Sequence, residues 1–293
     1  MLKKLTIVLM LVALLLPCVC TADETVYHLP VDFSAGPQPN PAAYGTESYE
    51  DESLSVRMET RDIDRVRYNL AWIKIKSPTQ LRTAIAGKPN EVVADRPSRM
   101  ARRQNAVVAI NGDFYTQRRD GLIYRQGTPF RYELNEEKDA LVIDENGDFH
   151  IFVATQAEEL LAFLKSGRQI INAFTFGPAI VKDGEILPLP ETYVTRFDNT
   201  VRAPRMAVAQ IGPLEYVFVE ALGRYDESIG VTSDDMAIFM HSLGVQQAYL
   251  MDGGNSCVML FNGRYYDSNY KESEREQSDI IYVVSAVPED TWQ

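Results

Sequence analysis

Apolar and polar residues follow two different patterns along this chain, and these patterns predict where the strands and helices lie. Residues 68–76 (YNLAWIKIK) alternate as a strand does, and residues 106–110 (AVVAI) form a short apolar run typical of a strand buried on both faces. Similar short runs predict strands over 208–211, 216–220, 248–251 and 280–285. Most of the predicted elements are therefore strands.

Helical patterns are fewer, and they begin at capping residues. Ser77 and Gln80 have the spacing of a capping box with a proline between them, so we predict a helix from Ser77 to Gly87. Shorter helices are predicted over 97–104 and 157–165. After Ser233, apolar residues recur at helical spacing until Gly244, which predicts a helix with one face in the core.

Turn signals decide how these elements are connected. Residues 145–148 (ENGD) contain an Asn-Gly pair between two apolar segments, which favours a β-hairpin over a calcium loop. Hairpins are frequent, and strict alternation of strand and helix is absent. The sequence therefore predicts an α+β fold, a single domain with a mixed, mainly antiparallel sheet packed with helices.

The first residues predict export. A short basic start at Lys3 and Lys4 precedes an apolar run from Leu5 to Leu16, and small residues end at Ala22. This order is typical of a secretory signal peptide over residues 1–22, and the run is short for a membrane span. A lipoprotein is the alternative, because two cysteines lie near the end of the segment. We expect a secreted protein or one of the periplasm or cell envelope.

Charge and cysteine content narrow the classes of partner. The formal net charge is -12, and removal of Lys3 and Lys4 with the signal peptide would make it -14. Such an acidic chain is unsuited to nucleic acid or an anionic membrane. After cleavage only Cys257 would remain, which excludes an internal disulfide. We interpret Cys257 as a buried structural residue.

The rest of the chain divides into three predicted segments. Residues 23–65 are a partly irregular lead-in rich in Pro, Gly, Ser, Tyr and acids, residues 66–287 form the main domain, and residues 288–293 are a tail. No later apolar run approaches the length of a membrane span, so no integral membrane segment is expected after signal cleavage.

Candidate chemistry lies in four polar clusters at strand ends or in Gly/Pro-rich turns, namely 111–114 (NGDF), 176–178 (FGP), 202–205 (RAPR) and 252–256 (DGGNS). Each cluster alone is better explained as a turn. Together they supply two carboxylates and two arginines. Arginines bind phosphodiesters through bidentate hydrogen bonds, and paired carboxylates serve as acid and as base or nucleophile at a glycosidic bond.

The blocks VVAINGDFY, FTFGPAIVKDGEI, RAPRMAVAQ and GVTSDDMAIFMHSLGVQQAYLMDGGNSCVML, in that order, resemble the phosphodiester glycosidase family. The resemblance covers roughly residues 66–287. It implies cleavage of a sugar-1-phosphodiester to free sugar and phosphomonoester, without a required cofactor. The substrate would be a glycosyl phosphodiester or a polysaccharide such as an exopolysaccharide.

Carried over by position, the resemblance and the chemistry above assign two groups of site residues. The catalytic candidates are Asp252 and Asp113. The substrate-binding candidates are Asn111, Gly177, Arg202, Arg205, Thr232, Gly253, Gly254 and Ser256. We expect these distant residues to converge in one pocket. One departure is that many relatives have Asp-Gly-Arg where this chain has Leu222-Gly223-Arg224, so the acid is absent.

Two alternatives stay open beside the glycosidase. One is a non-catalytic carbohydrate-binding or envelope polysaccharide assembly protein on the same fold, since a fold does not fix a function. The other is a metal-dependent phosphodiesterase, in which Asp113 and Asp252 share a divalent cation. The three histidines have no metal-ligand spacing, so no histidine zinc site is predicted.

Overall fold

A computed structural model describes residues 27–89, 91–134, 137–189, 199–267 and 274–292. The predicted signal peptide lies outside these ranges. Within them, no helix is long and apolar enough to cross a membrane. The described chain is mainly β, with three antiparallel sheets and three α-helices. The predicted α+β class with one mixed sheet is corrected in this respect, because the described strands pair antiparallel in three separate sheets and only three short α-helices accompany them.

The described strands, numbered along the chain, are β1 (Ser48–Glu50), β2 (Leu54–Ile63), β3 (Val66–Ile75), β4 (Leu81–Ile85), β5 (Val108–Asn111), β6 (Gly121–Arg125), β7 (Thr128–Glu133), β8 (Ala140–Asp144), β9 (Phe149–Phe152), β10 (Ile170–Phe174), β11 (Ala179–Lys182), β12 (Glu185–Ile186), β13 (Arg205–Gly212), β14 (Glu215–Ala221), β15 (Gln247–Leu250), β16 (Met259–Phe261), β17 (Arg264–Tyr265) and β18 (Asp279–Val283). The helices are α1 (Pro97–Arg103), α2 (Ala157–Leu164) and α3 (Ser233–Ser242).

These strands form one large and two smaller sheets. The eight-stranded sheet has the order β1-β2-β3-β14-β13-β15-β11-β12. The second sheet has the order β7-β6-β10-β8-β9, and the third has the order β17-β16-β5-β18-β4. Because β15 is antiparallel to β13, and β13 to β14, the end of β15 lies beside the start of β13 and the end of β14.

All three sheets contribute to one apolar core. Phe218 from the eight-stranded sheet, Ile143 from the second and Ile110 from the third belong to one buried cluster. The other face of the eight-stranded sheet packs against α3, whose Met236 and Met240 are fully buried. The helical spacing after Ser233 therefore indicates core packing, as predicted.

One predicted helix is wrong. The capping box at Ser77 and Gln80 is present, but it opens a single 3-10 turn, after which the chain continues as the strand β4. Residues of β4 pair with β18 along its full length, from Leu81 with Val283 to Ile85 with Asp279. Local capping signals were overridden by the long-range pairing, because β4 completes the third sheet.

The segment predicted as a lead-in contains both irregular chain and regular structure. Strands β1 and β2 lie within it and form one edge of the eight-stranded sheet. The irregular part is held by Arg82, whose guanidinium donates to the carbonyl oxygens of Pro30, Asp32 and Ser34 at 2.8, 2.8 and 3.1 Å. The tail contributes a short 3-10 turn, Glu289–Thr291.

Candidate active site

The strands β5 and β15 end side by side, and Asn111 joins the two ends. Its Nδ2 donates to the carbonyl oxygen of Asp252 at 2.8 Å, and its Oδ1 accepts from the backbone of Val258 at 3.2 Å. The backbone N–H of Asp252 donates to the carbonyl of Gly112 at 3.3 Å. Asn111 is completely buried, so it fixes the backbone of both turns. Its predicted role in substrate binding stays a prediction.

Asp252 follows β15 and is 5% exposed. Burial raises the pKa of its carboxyl group, and the negative charge of Asp113 raises it further. A hydrogen bond from Ser256, the charge of Arg275 and the backbone of Gly253 act in the opposite direction. The net shift is upward, so Asp252 holds its proton at higher pH than an ordinary aspartic acid. A carboxyl group in this state can donate a proton.

Asp113 follows β5 and has a different environment. It is completely buried, and its two oxygens accept from two arginines. Arg118 donates to Oδ2 at 2.8 Å, and Arg125 donates to Oδ1 at 2.6 Å. Because both carboxylate oxygens accept from charged donors, these contacts fix Asp113 and the two arginines relative to one another. The catalytic role predicted for it stays a prediction.

Arg125 extends this contact into a buried ion network. Its Nε donates to Asp279 at 2.9 Å, its Nη1 to the carbonyl of Ala173 at 2.6 Å, and its guanidinium lies 4.2 Å from the ring centre of Phe174. Burial raises the pKa of Asp279 to about 6, and Arg125 limits the rise. The network contains two aspartates, Asp113 and Asp279, and two arginines, Arg118 and Arg125, so its formal charges balance.

The two-glycine turn after Asp252 is packed between β13 and the end of β14. The backbone N–H of Gly254 donates to the carbonyl of Pro204 at 2.8 Å. A Cβ added at Gly253 would lie 3.0 Å from that same oxygen, and one at Gly254 would lie 3.3 Å from a guanidinium nitrogen of Arg224. Arg224 also donates to the side chain of Asn255. Because neither glycine has a side chain, the segments that carry Arg205 and Arg224 can pack against this turn.

The two arginines of the third cluster occupy different positions. Arg205 begins β13 beside Gly253, is 9% exposed, and donates to the carbonyl of Val201 at 3.1 Å. Arg202 is exposed, and it pairs with Asp235 of α3 at 3.0 Å and with the carbonyl of Gly230 at 3.0 Å. Arg205 therefore lies at the turn, whereas Arg202 contacts the start of α3.

Thr232 also belongs to the start of α3. It is the N-cap, its hydroxyl accepts from the backbone N–H of Asp235 at 3.0 Å, and Asp235 completes a capping box. Ser233, the predicted cap, is instead the first helical residue. These contacts give Thr232 a structural role, and its predicted role in substrate binding stays a prediction.

The segment around Gly177 is placed next to Asp113 through Arg118. The Arg118 guanidinium donates to the carbonyl of Thr175 and lies 5.2 Å from the ring centre of Phe176. The Gly177–Pro178 peptide is cis, and Pro178 accepts from the backbone N–H of Leu250 at 3.0 Å. The first and fourth clusters are therefore in direct contact, and the second cluster is joined to them through Arg118 and Leu250.

The candidate site contains five charged residues that the sequence did not indicate. They are Arg118, Arg125, Arg224, Arg275 and Asp279. Arg275 reaches the hydroxyl of Ser256 at 3.5 Å and acts on Asp252 electrostatically. A signal for the buried pair existed: Asp113 follows a fully apolar strand, and a buried carboxylate requires a charged partner. The sequence pattern could not indicate which of the nearby arginines would be the partner of Asp113.

No group of three or more His, Cys, Asp or Glu residues arranged to hold a metal ion occurs in the described ranges. Both oxygens of Asp113 are directed to arginines. The shared divalent cation considered above therefore stays a prediction without a supporting contact.

The sequence itself places this chain in a known family. The model of the phosphodiester glycosidase family matches residues 104–284, a range that contains all four clusters, and the chain belongs to this family. The range predicted from the motifs, 66–287, begins earlier.

Relatives of known structure share the fold. The catalytic domain of zebrafish N-acetylglucosamine-1-phosphodiester alpha-N-acetylglucosaminidase, auto-inhibited by its pro-peptide, has a TM-score of 0.62 and 15% identity, covering 85% of this chain and 87% of that one. A protein of Burkholderia pseudomallei K96243 described as exported has a TM-score of 0.52 and 13% identity, covering 75% of this chain and 74% of that one.

The chain is also 29% identical over 192 residues to the uncharacterized SPbeta prophage-derived protein YomE of Bacillus subtilis (strain 168). The match covers 63% of this chain but only 29% of YomE, so the chain spans less than a third of that relative's length.

Proposed function

We propose that this protein is an exported glycosidase that hydrolyses a sugar-1-phosphodiester to free sugar and phosphomonoester. The observation that carries the proposal is Asp252, a carboxyl group with a raised pKa in a two-glycine turn, with Arg205, Arg224 and Arg275 around the turn. Membership of the phosphodiester glycosidase family and the fold shared with the zebrafish enzyme support it.

In the proposed reaction Asp252 acts as the acid and then as the base. The bond between the sugar C1 and the phosphate oxygen breaks, its electron pair goes to that oxygen, and Asp252 donates its proton there. A water molecule then adds to C1 and returns one proton to Asp252. Atoms balance, and the aspartic acid is regenerated. A carboxyl group whose pKa is raised toward the working pH suits this double role.

The arginines supply the charge that a phosphodiester requires. Arg224 and Arg275 are exposed, and Arg205 is nearly buried beside Gly253. The planar guanidinium group can bind two phosphate oxygens at once, which Lys cannot. We propose that Gly253 and Gly254 let the phosphate approach the turn, and that Asn111 and Gly177 shape the site from β5 and the second cluster.

Mass spectrometry of products formed in oxygen-18 water tests the reaction. The protein without residues 1–22 is incubated with a panel of sugar-1-phosphate methyl diesters. Cleavage between C1 and oxygen gives methyl phosphate without the heavy isotope, which is the expected result. The Asp252→Asn variant is the control for contaminating hydrolases.

Other products would identify the alternatives. Heavy oxygen in the phosphate, together with loss of activity in a chelator, would indicate a metal-dependent phosphodiesterase. Saccharide binding without any turnover across the panel would indicate a carbohydrate-binding or assembly protein. Either result would overturn the glycosidase proposal.

Export is proposed from the first 22 residues, and the Burkholderia relative described as exported is consistent with it. N-terminal sequencing of the protein recovered outside the cytoplasm is expected to begin at Asp23. A protein beginning at Met1, or at a lipid-modified cysteine, would contradict the free secreted form.

A further inference from the structure

The buried ion network beside Asp252 contains more charge than the fold requires at that position. Arg125 is fully buried in β6, Asp279 begins β18, and Asp113 follows β5, so the network joins the second and third sheets at the edge of the candidate site. Burying several charges is expensive even when they are paired. Apolar residues would fill such a position more cheaply, which suggests that the charges have a function.

The geometry connects this network to Asp252 through one member. Asp113 is next to Gly112, whose carbonyl accepts from the backbone N–H of Asp252 at 3.3 Å. Gly112 is also where the network is tightest, since a Cβ there would lie 2.3 Å from the Asp279 carboxylate. The turn that carries Asp113 is therefore held against both Asp279 and Asp252.

The residue after Asp113 supports a functional constraint on this turn. Phe114 has a left-handed backbone, with φ 60° and ψ 37°. A left-handed conformation is uncommon and unfavourable for a residue with a large side chain, and such conformations cluster at functional sites. The chain accepts this cost at the point where Asp113 must be oriented toward its two arginines.

We propose, resting on the function proposed above, that Asp113 is a positioning residue: Arg118 and Arg125 fix it on the turn that bonds the Asp252 backbone, where its negative charge adds to burial in favouring the protonated, proton-donating form of Asp252. Asp113 does not touch the substrate in this scheme. It acts through Asp252, while Arg125 and Asp279 hold it in place from the second and third sheets.

The charges that face each aspartate decide the direction of the effect. Those that act on Asp252 are Asp113 and Arg275, with the hydroxyl of Ser256, while Arg205 and Arg224 lie beside the two glycines of the same turn. Those around Asp113 are Arg118, Arg125, Asp279, Tyr115, Arg131 and Asp252 itself. Burial and the charge of Asp113 favour the protonated form of Asp252, whereas Arg275 and Ser256 favour the anion.

Titration of Asp252 in three variants tests this proposal without any substrate. Carbon-13 NMR of protein labelled at the aspartate carboxyl carbons follows Asp252, and its signal is identified by its loss in Asp252→Asn. Asp113→Asn is expected to lower the titration midpoint by about one pH unit, because it removes the like charge and leaves two arginines uncompensated, while burial of Asp252 is unchanged. Arg118→Gln is expected to raise the midpoint, because the negative charge of Asp113 is then compensated by one arginine fewer.

Asp279→Asn is the matched control, because it removes a carboxylate from the same network that is not among the groups shifting the pKa of Asp252. We expect its effect on the midpoint to be smaller than that of Asp113→Asn. If Asp113→Asn fails to fold by circular dichroism, Arg118→Gln still decides, since Arg118 is the partner that retains 12% side-chain exposure. An unchanged midpoint in both Asp113→Asn and Arg118→Gln would overturn the proposal.

Kinetics separate a positioning role from a catalytic one. For a positioning residue, the alkaline limb of the kcat/KM profile moves to lower pH in Asp113→Asn, and the rate at the new optimum stays within about tenfold of the original. A hundredfold or larger loss at every pH would assign Asp113 a direct catalytic role and overturn the proposal. If no sugar phosphodiester is hydrolysed at all, the proposed function fails, while the NMR titration still decides whether Asp113 controls Asp252.

Discussion

Two turns of this molecule carry the same sequence signal and have opposite environments. The turn after β5 contains Gly112 and Asp113, and the turn after β15 contains Asp252 and Gly253. Each places an aspartate at the end of an apolar strand beside glycine. Asp113 is bound by two arginines at 2.6 and 2.8 Å, whereas Asp252 is bonded by the hydroxyl of Ser256 and the backbone of Gly253, and burial raises its pKa.

The difference shows that burial alone does not make a carboxyl group reactive. Both aspartates are nearly inaccessible, at 0% and 5% exposure. A charged donor favours the anion of a buried carboxyl group, and burial acts in the opposite direction. The partners, which lie far away in sequence, therefore separate the two predicted catalytic residues.

The largest expected effect is on Asp252 itself. Asp252→Asn keeps the shape and one acceptor oxygen but removes the titrating proton, so kcat is expected to fall about a hundredfold to ten-thousandfold. The measurement is turnover of whichever methyl diester the wild type hydrolyses. Asp234→Asn, at an exposed position of α3, is the control. Near-normal turnover in a folded Asp252→Asn protein would remove its catalytic assignment, and loss of stability alone would favour a turn-forming role.

Arg205→Lys is expected to lower kcat/KM by about tenfold to a hundredfold. Lysine keeps the charge but not the planar fork, and a hydrogen bond to a charged group contributes about 1.5–3 kcal/mol. Arg202→Lys is the matched comparison, because Arg202 pairs with Asp235 and Gly230 at the start of α3. Equal losses in the two variants would mean that the position of Arg205 beside the turn gives it no special role.

The two glycines beside the aspartates provide a stability test of the same comparison. Gly112→Ala places a Cβ 2.3 Å from the Asp279 carboxylate, and Gly253→Ala places one 3.0 Å from the carbonyl oxygen of Pro204. Overpacking of this kind costs about 1–3 kcal/mol, and we expect the larger loss at Gly112. The free energy of unfolding in urea measures it.

Gly212→Ala is the control for the glycine substitutions, because its Cβ would meet no atom within 4 Å. Its effect is expected to lie within about 0.5 kcal/mol of zero. A Gly112→Ala protein as stable as Gly212→Ala would show that the ion network adjusts freely, which would also weaken the idea that it holds Asp113 in place.

Much of the fold was accessible from the sequence, because local patterns determine the elements concerned. The hairpin of β8 and β9, the strand β5 and the helix α3 were predicted from apolar spacing and turn residues, and the structure confirms them. The β4 segment could not be predicted in this way. Its capping box is real, but its conformation depends on pairing with β18, about 200 residues later.

The site was predictable in its parts but not in its partners. Strand-end polar clusters indicated Asn111 and Asp252, which are hydrogen-bonded to each other, and Asp113, which follows the Gly112 that also bonds to Asp252. Arg125 lies in an ordinary strand segment, and nothing in its local sequence distinguishes it from other arginines. Its importance comes from the second and third sheets meeting around it, which a one-dimensional pattern does not contain.

A cluster of charged residues at the surface tests how far burial determines the strength of these ion contacts. Glu59 of β2 is also bound by two arginines, Arg61 at 2.6 Å and Arg57 at 2.7 Å, and by the indole N–H of Trp72 at 2.8 Å, but its side chain is 24% exposed. The hydrogen bond from Arg61 is the largest cause that lowers the pKa of Glu59, to about 2. Contact geometry therefore resembles that of Asp113, whereas solvent screening is much stronger.

We expect Glu59→Gln to cost at most about 1 kcal/mol at pH 7, because exposed ion pairs contribute little. The pKa of Glu59 is lowered on folding, so its contribution is complete above the ordinary value of 4.5 and is lost as the pH falls through about 2. The difference in the free energy of urea unfolding between wild type and variant should shrink from pH 5 to pH 3, and also in 1 M salt. A cost at pH 7 as large as that of Gly112→Ala, insensitive to salt, would mean that paired carboxylates on this protein are equally important whether exposed or buried, and the contrast between its two kinds of ion contact would not hold.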